Sequence, residues 1–191
     1  ALKPEAIIDQ SACQQRGNNV NTQISLNQAA STLKFCEQNG IGVRGHTFVW
    51  YSQTPDWFFR ENFSGTGNYV STQIMDQRLE SMIKNTFAAL KSQYPNLNVY
   101  AYDVCNEVVS DDANRTANNG GARLPGYGNG QSPWVQVYGS NAFVEKAFTY
   151  ARKYAPKTCK LFYNDYNEYW DHKRDCIYNM CKNLYQKGIL D

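Results

Sequence analysis

Polar and aromatic side chains cluster at three places in the chain, and each cluster ends or follows a short apolar segment. The clusters are residues 46–50 (HTFVW), 106–107 (NE) and 164–167 (NDYN). Apolar segments of this length are typical of buried strands. The carboxyl ends of parallel strands meet at one edge of a sheet or barrel, where ligands bind. We therefore expect the three clusters to line a single site.

Glu107 is the residue whose surroundings best suit catalysis. It follows the mostly apolar stretch 102–105 and the amide of Asn106, so its carboxyl group would leave the core at the rim of the sheet. A carboxyl group held there can donate a proton to a leaving oxygen. Asn106 beside it could bind a sugar hydroxyl. The alternative is that Glu107 is a structural carboxylate paired with a cation.

The residues around His46 offer the groups that bind a pyranose ring. His46 supplies an imidazole, Trp50 an indole face and Gln53 an amide, and Arg44 is close in sequence. An aromatic side chain combines an apolar face with a polar tip, which suits sugars but equally suits a protein core. The alternatives are that His46 is a satisfied structural residue and that Trp50 is buried. Lys3, near the first residue, would by the same reasoning be a solvated charge.

A different hypothesis is a metal hydrolase that uses His46, Glu107 and Asp165. It needs more ligands than two histidines readily supply, and no Cys-x-x-Cys pair or His-bearing cluster frames a zinc site. The six cysteines are expected to be buried free thiols, and the alternative is a disulfide in an exported protein.

Length and composition bound the other possibilities. The chain has 191 residues, about one domain. Its 19 Lys and Arg balance 17 Asp and Glu without blocks of one sign, so we expect no nucleic acid partner and no anionic membrane partner. No apolar run approaches the roughly 18 residues that a membrane span needs.

Helical and strand patterns alternate along the chain, which predicts an α/β fold with a parallel sheet covered by helices. Ser25 and Gln28 have the spacing of a capping box at the start of the first helix. A long connection rich in Gly, Asn and Pro spans about 108–140. The predicted elements are a helix over 25–39, a strand over 41–50, a helix from 74 that ends near 95, a strand over 97–104, a helix over 141–154, a strand over 160–165 and a helix over 172–187.

Four ordered blocks of the sequence resemble the family ten glycoside hydrolases, the (β/α)8 endo-1,4-β-xylanases. The resemblance runs over essentially the whole chain, and four blocks in the right order are far more specific than a lone Asn-Glu pair. The blocks are LKPE at 2–5, VRGHTFVWYSQTP at 43–55, DVCNE at 103–107 and FYNDYN at 162–167.

The resemblance implies a fold, an activity and a set of site residues. Residues 1–191 would be a single partial catalytic domain, part of a TIM barrel with parallel strands and outer helices. The activity would be retaining hydrolysis of internal β-1,4 linkages of xylan, with no metal or organic cofactor. Glu107 would be the general acid/base and Asn106 would hold the 2-hydroxyl of the sugar being cleaved. Substrate would also be bound by Lys3, His46, Trp50 and Gln53 on the glycone side and by Tyr166 on the aglycone side.

The chain departs from the family in two respects. A complete barrel needs about 250 residues, so we expect the missing strands and the nucleophilic glutamate to lie outside these 191 residues, in another part of the protein, another chain or a second copy. Neither Asp165 nor Glu168 is expected to replace that glutamate. Tyr51 occupies a position that is commonly His in the family.

The departures leave a second function open, a non-catalytic xylan-binding fragment or inactive remnant. Because xylan is too large to enter a cell, the resemblance also implies a secreted or cell-surface protein.

Overall fold

A computed structural model describes residues 2–15 and 19–191. Three parallel strands form its sheet: β1 (Val43–Trp50), β2 (Val99–Asn106) and β3 (Lys160–Asn164). Their order in the sheet is their order in the chain, β1-β2-β3. The predicted α/β architecture with parallel strands and flanking helices is confirmed, and the described part has the three strands of a partial barrel.

The register of the strands brings their carboxyl ends to one level. Trp50 of β1 lies opposite Asn106 of β2, and Asn106 lies opposite Asn164 of β3. The predicted end of the second strand at residue 104 is therefore wrong by two residues, because pairing on both sides carries β2 as far as Asn106. The three polar clusters of the sequence consequently share one edge.

Helices fill the connections between the strands and bury one large apolar core. Within it the rings of Phe48 and Tyr102 stack at 4.0 Å between centroids. Gly45 permits this arrangement, because a Cβ atom there would lie 2.2 Å from the Tyr102 ring. The helices are α1 (Pro4–Ile7), α2 (Gln10–Gln15), α3 (Ala30–Gln38), α4 (Thr72–Gln93), α5 (Ala113–Asn118), α6 (Pro133–Tyr138), α7 (Ala142–Tyr154) and α8 (Asp171–Gln186), with short 3-10 turns at Asn27–Ala29, Asp56–Phe59 and Glu61–Phe63.

The first predicted helix begins later than its sequence suggested. Ser25 does not cap it: the Ser25 backbone N–H donates to the Ile7 carbonyl at 2.8 Å, and Ile24 pairs with Ile8 in an isolated antiparallel bridge. This pairing ties Ser25 to the end of α1, and α3 starts only at Ala30 after a 3-10 turn. Its predicted end near residue 39 is confirmed.

The connection over 108–140 is more ordered than a plain loop. It contains α5 and α6, which are too short to give a hydrophobic period. Local signals for α6 were nevertheless in the sequence: Ser132 accepts a hydrogen bond from the N–H of Val135, Pro133 opens the helix, and Gly139 ends it with a φ of 71°.

All six cysteines are free thiols, as expected. Cys13, Cys105 and Cys159 are buried, whereas the other three are only half-buried. Burial raises the pKa of Cys105, and it raises the pKa of Cys159 to about 11. Among the helices of residues 2–15 and 19–191, none has the length and apolar character to cross a membrane.

Candidate active site

The backbone of Glu107 is fixed on both sides as the chain leaves β2. Its φ is 52°, a left-handed conformation that non-glycine residues seldom adopt. Its N–H donates to the Asn164 carbonyl at 2.8 Å, and its own carbonyl accepts from Arg123 Nε at 2.9 Å. Strained conformations of this kind persist only where surrounding contacts determine them. Neighbouring elements therefore dictate the direction of the Glu107 side chain.

An indole N–H orients the Glu107 carboxylate. Trp50 Nε1 donates to Glu107 Oε2 at 2.9 Å. The Trp50 carbonyl in turn accepts from Trp134 Nε1 at 3.1 Å and from the hydroxyl of Thr54 at 2.8 Å. Since Trp134 is fully buried, the chain just after β1 is anchored to the core. The result is a half-buried carboxyl group held at the rim of the sheet by a directed donor, an arrangement that suits proton transfer.

Asn106 lies beside Glu107 and has a fixed amide orientation. It is 1% exposed, and its Oδ1 accepts from Asn164 Nδ2 at 2.7 Å. This contact fixes which end of the amide is the oxygen, so the other end carries the NH2 group, the donor of the side chain.

His46 belongs to a charged cluster on neighbouring strands. Its Nδ1 lies 2.9 Å from Asp103 Oδ2, and Arg44 donates to Asp103 Oδ1 from Nε at 2.9 Å and from Nη2 at 2.5 Å. Burial alone would raise the pKa of Asp103, but the hydrogen bonds from His46 and Arg44 outweigh it, and the pKa is lowered. The imidazole also meets Trp50 edge-on, at 6.0 Å between centroids. Asp103 therefore ties His46 to Arg44 and fixes one ring nitrogen.

We expect Asp103→Asn to lower the free energy of unfolding of the complete protein by about 2 kcal/mol at neutral pH, because two donors lose a charged acceptor. The folded-state pKa of Asp103 lies below its ordinary 3.8. Its ionisation therefore stabilises the fold above that value, and the contribution is lost as the pH falls through the lower folded value. Denaturant unfolding between pH 7 and pH 2.5 checks this.

The exposed Asp175 of α8 offers a matched control, Asp175→Asn. We expect it to change stability by less than about 0.5 kcal/mol at any of these pH values. A deficit of Asp103→Asn that stays constant down to the lowest pH would contradict the role given to the charge.

Lys3 and Gln53 meet at the β1 side of the site. Lys3 Nζ donates to Gln53 Oε1 at 2.6 Å and pairs with Glu5 at 2.7 Å. The backbone N–H of Glu5 also donates to the Gln53 carbonyl at 3.1 Å. The start of α1 is thereby fastened to the loop that follows β1, so Lys3 is a half-buried, partnered cation and not the solvated charge of the alternative interpretation.

Tyr166 lies on the β3 side and contacts the ion pair of Asp111 with the buried Lys173. Its hydroxyl donates to Asp111 Oδ2 at 2.7 Å, and Lys173 Nζ lies 4.0 Å from the ring centroid. Burial, followed by the hydrogen bond to Asp111, raises the pKa of Tyr166 to about 12. The ring is 38% exposed, so part of its surface remains accessible.

The structure brings most of the predicted residues together through direct contacts. Trp50 contacts both His46 and Glu107, Asn106 adjoins Glu107, and Gln53 contacts Lys3. Tyr166 is connected to this group only through the residues around Asp111. None of these contacts tests the sugar-binding roles, which remain predictions.

Two residues of the site were not singled out from the sequence. Asp103 could have been noticed as a charge within an otherwise apolar strand. Arg123 lies in the connection over 108–140 and gave no signal: it is buried, it donates to the Glu107 carbonyl, and its guanidinium stacks 3.8 Å from the ring centroid of Tyr51. Tyr51, at the position that is commonly His in the resembled family, therefore supports the arginine that fixes Glu107.

The metal-hydrolase hypothesis finds no support in the geometry. Within residues 2–15 and 19–191, no group of three or more His, Cys, Asp or Glu side chains is arranged to hold a metal ion. His46 is engaged by Asp103, and Asp165 is engaged by Lys173 at 2.9 Å.

Comparison with known proteins places the chain in a family. The sequence profile of Glycosyl hydrolase family 10 matches residues 1–191. Endo-1,4-beta-xylanase Y of Acetivibrio thermocellus is 67% identical over 190 residues, which cover 100% of this chain and 17% of that protein.

Two solved structures are also similar. One is the N-terminal endo-1,4-beta-D-xylanase 10B of Clostridium thermocellum, complexed with xylohexaose; it has a TM-score of 0.96 at 67% identity and covers 100% of this chain and 36% of that one. The other, named an intracellular xylanase, is from Thermoanaerobacterium saccharolyticum, with a TM-score of 0.74 at 30% identity over 99% of this chain and 51% of that one. The chain thus spans well under two thirds of these relatives, and it belongs to glycosyl hydrolase family 10.

Proposed function

We propose that the protein is a retaining endo-1,4-β-xylanase in which Glu107 is the general acid/base. The observation that carries the proposal is the half-buried Glu107 carboxylate, held 2.9 Å from the Trp50 indole nitrogen at the rim of the parallel strands, next to the fixed amide of Asn106. The relatives that share this sequence are named xylanases, and one of them was crystallised with xylohexaose. Because the chain spans a minor part of those proteins, the proposal concerns the complete protein.

Glu107 acts in both halves of the reaction. In the first, its carboxyl proton passes to the glycosidic oxygen as the bond from that oxygen to the anomeric carbon breaks and a second carboxylate forms a bond to that carbon. In the second, the Glu107 carboxylate accepts a proton from the water that attacks the same carbon and releases the second carboxylate. The Trp50 N–H, which donates to Glu107 Oε2 at 2.9 Å, holds the carboxyl group in one orientation through both steps.

The remaining predicted residues bind the sugar chain. Asn106 donates its amide N–H to the 2-hydroxyl of the sugar being cleaved. Lys3, His46, Trp50 and Gln53 line the glycone side, and Tyr166 lies towards the aglycone side. The 2.6 Å hydrogen bond between Lys3 and Gln53 and the 2.9 Å contact of His46 with Asp103 fix three of these groups before substrate arrives, which lowers the entropy cost of binding.

The nucleophile is proposed to lie outside these 191 residues, about 5 to 5.5 Å from Glu107 in the complete site. Two other carboxylates near this rim form structural ion pairs: Asp103 with Arg44, and Asp165, whose side chain is 3% exposed, with Lys173. We do not assign the role to Glu168 either, which is exposed. The strands that complete the barrel would come from the rest of the protein or from another chain.

We also propose that the enzyme acts outside the cell or at its surface, because polymeric xylan cannot enter. One relative in the family is named an intracellular xylanase, so family membership alone does not fix the location. Xylanase activity in the culture medium or on intact cells is the expected result, and activity found only after lysis would contradict it.

Incubating the complete protein with β-1,4-xylan tests the proposed function. We expect cleavage at internal linkages of the polysaccharide, measured as new reducing ends. In proton NMR, the products should first appear as the β-anomer. Activity should be unchanged by a chelator. Xylohexaose binding without any new reducing ends would instead favour the non-catalytic alternative, and α-anomeric first products would exclude a retaining mechanism.

A further inference from the structure

The two residues that follow Glu107 are held by a single tyrosine hydroxyl group. The backbone N–H groups of Val108 and Val109 both donate to Tyr163 Oη, at 3.1 and 3.3 Å. Tyr163 lies on β3, so this contact crosses from one strand to the segment that leaves its neighbour. It holds the peptide group between Glu107 and Val108, whose carbonyl also accepts from Arg123, and the peptide group that follows it.

The Tyr163 hydroxyl uses its full hydrogen-bonding capacity. A phenolic hydroxyl has one donor and two acceptor positions; the acceptors receive the two N–H groups, and the donor binds Asp165 Oδ2. Burial, and then the charge of Asp165, raises the pKa of Tyr163. The hydroxyl thus keeps its proton, and with it the bond to Asp165.

A buried charge cluster holds Asp165 in turn. Lys173 on α8 is 0% exposed, and its Nζ lies 2.9 Å from Asp165 Oδ1 and 2.7 Å from Asp111 Oδ1. Asp165 Oδ1 also accepts the N–H of Tyr166 at 2.8 Å. One buried cation thereby fixes two carboxylates that belong to different strand-to-helix connections, those after β2 and β3. Such a cluster costs desolvation free energy and is stable only with all its partners present.

We propose that Tyr163 is a positioning residue for Glu107, acting through the backbone of Val108 and Val109 and held in place by Asp165 and Lys173. Tyr163 does not touch the reacting atoms in this role. It sets the direction of the Glu107 carboxyl group by fixing the peptides that follow it. The inference rests on the proposed function of Glu107 as proton donor.

The role predicts an effect that depends on the leaving group. Cleavage of xylan expels a sugar alkoxide, a poor leaving group that needs a correctly placed proton donor. Cleavage of a 2,4-dinitrophenyl β-xylobioside expels dinitrophenolate, which leaves without being protonated. In the complete enzyme, Tyr163→Phe is expected to lower kcat on xylan about 10- to 100-fold, the size of effect that a small misplacement causes. KM for xylan should stay within about twofold, and kcat/KM for the dinitrophenyl substrate within about threefold of wild type.

Tyr138→Phe is the matched control. Tyr138 also donates its hydroxyl to a carboxylate, Asp76 at 2.7 Å, but on the helical layer where α6 meets α4. We expect Tyr138→Phe to leave kcat on xylan and kcat/KM for the dinitrophenyl substrate unchanged. If Tyr163→Phe does not fold, Asp165→Asn replaces it: this variant keeps an acceptor for the Tyr163 hydroxyl but removes the charge facing Lys173, and the same selective loss on xylan is expected.

The outcomes separate this inference from the proposed function. A wild-type enzyme that does not cleave xylan, or a Glu107→Ala variant equally impaired on both substrates, would overturn the function of Glu107. If those two results are as expected, an equal loss on both substrates by Tyr163→Phe, or no loss on either, would overturn only the positioning role.

Discussion

Replacing Glu107 with alanine in the complete protein is expected to lower kcat/KM for xylan by about 10³-fold, within the range measured for loss of a positioned general acid. The alkoxide of a xylose unit is a poor leaving group, so bond cleavage without protonation is slow. The loss should fall on catalysis and not on binding, because Lys3 and Gln53 remain in place to bind the chain. Initial rates of reducing-sugar release, with xylohexaose affinity measured by calorimetry, check both parts.

Three comparisons make the Glu107 experiment specific. Glu107→Gln should be impaired about as severely as the alanine variant, because glutamine retains the shape and the Trp50 contact but cannot release a proton at neutral pH. Glu168→Ala, at an exposed position near the same rim, should retain wild-type activity. Azide added to Glu107→Ala should speed turnover of an activated xyloside, since this anion attacks the anomeric carbon without a general base. Unchanged xylan cleavage by Glu107→Ala would exclude the assignment.

The second large effect is expected at Arg78, a fully buried arginine of α4. Its guanidinium donates to the carbonyls of Asn19 at 2.7 Å, Phe58 at 2.5 Å and Arg60 at 2.9 Å. It also stacks 3.8 Å from the ring centroid of Phe63. Burial lowers the pKa of Arg78 to about 10, which still leaves it charged at neutral pH. The guanidinium thus fastens the segment after β1, which also carries Gln53, to the helical layer.

Arg78→Met is expected to lower the free energy of unfolding by about 2 to 4 kcal/mol, because the side chain keeps its apolar stem while three carbonyl groups, that of the buried Phe58 among them, lose their donor. Part of that loss is offset because a desolvated charge is removed. Arg78→Lys should lie between wild type and Arg78→Met, since an ammonium group cannot reproduce the planar fork of a guanidinium. Chemical denaturation of the complete protein measures all three.

A surface arginine provides the comparison for Arg78. Arg174 of α8 forms exposed ion pairs with Asp171 and Asp175, and Arg174→Met is expected to change stability by less than about 0.5 kcal/mol. Equal losses at the buried and exposed positions would contradict the view that the Arg78 hydrogen bonds stabilise the fold.

The elements with a long hydrophobic period could be read from the sequence, and those fixed by tertiary contacts could not. Helix α7 was predicted to within a residue because periodic apolar residues mark it between Asn141 and Pro156. The short strand β3 was also predicted to within a residue, without such a period. The predicted helix start at Ser25 was wrong, because its capping pattern competes with a backbone hydrogen bond to Ile7 that no local signal reveals. Local patterns compete with contacts distant in sequence, and at Ser25 the distant contact prevails.

The same division applies to the site. Glu107 and Asn106 could be found because polar residues directly after a buried strand are conspicuous. Trp50, which orients the Glu107 carboxylate, was also predicted. Two more distant supporting residues could not be found: Arg123 lies in an irregular connection, and Lys173 is indistinguishable in sequence from its exposed neighbour Arg174. Their importance comes from burial and from partners distant in the chain, which residue type and spacing do not encode.

Dependence on leaving-group acidity tests the central claim most directly. The measurement compares kcat/KM of wild-type enzyme and Glu107→Ala over a series of aryl β-xylobiosides whose phenols span a wide range of acidity. We predict a shallow dependence for wild type and a steep one for Glu107→Ala, with the two lines converging at the most acidic phenol. Two parallel lines would show that Glu107 does not deliver the proton to the departing oxygen, and would contradict this account.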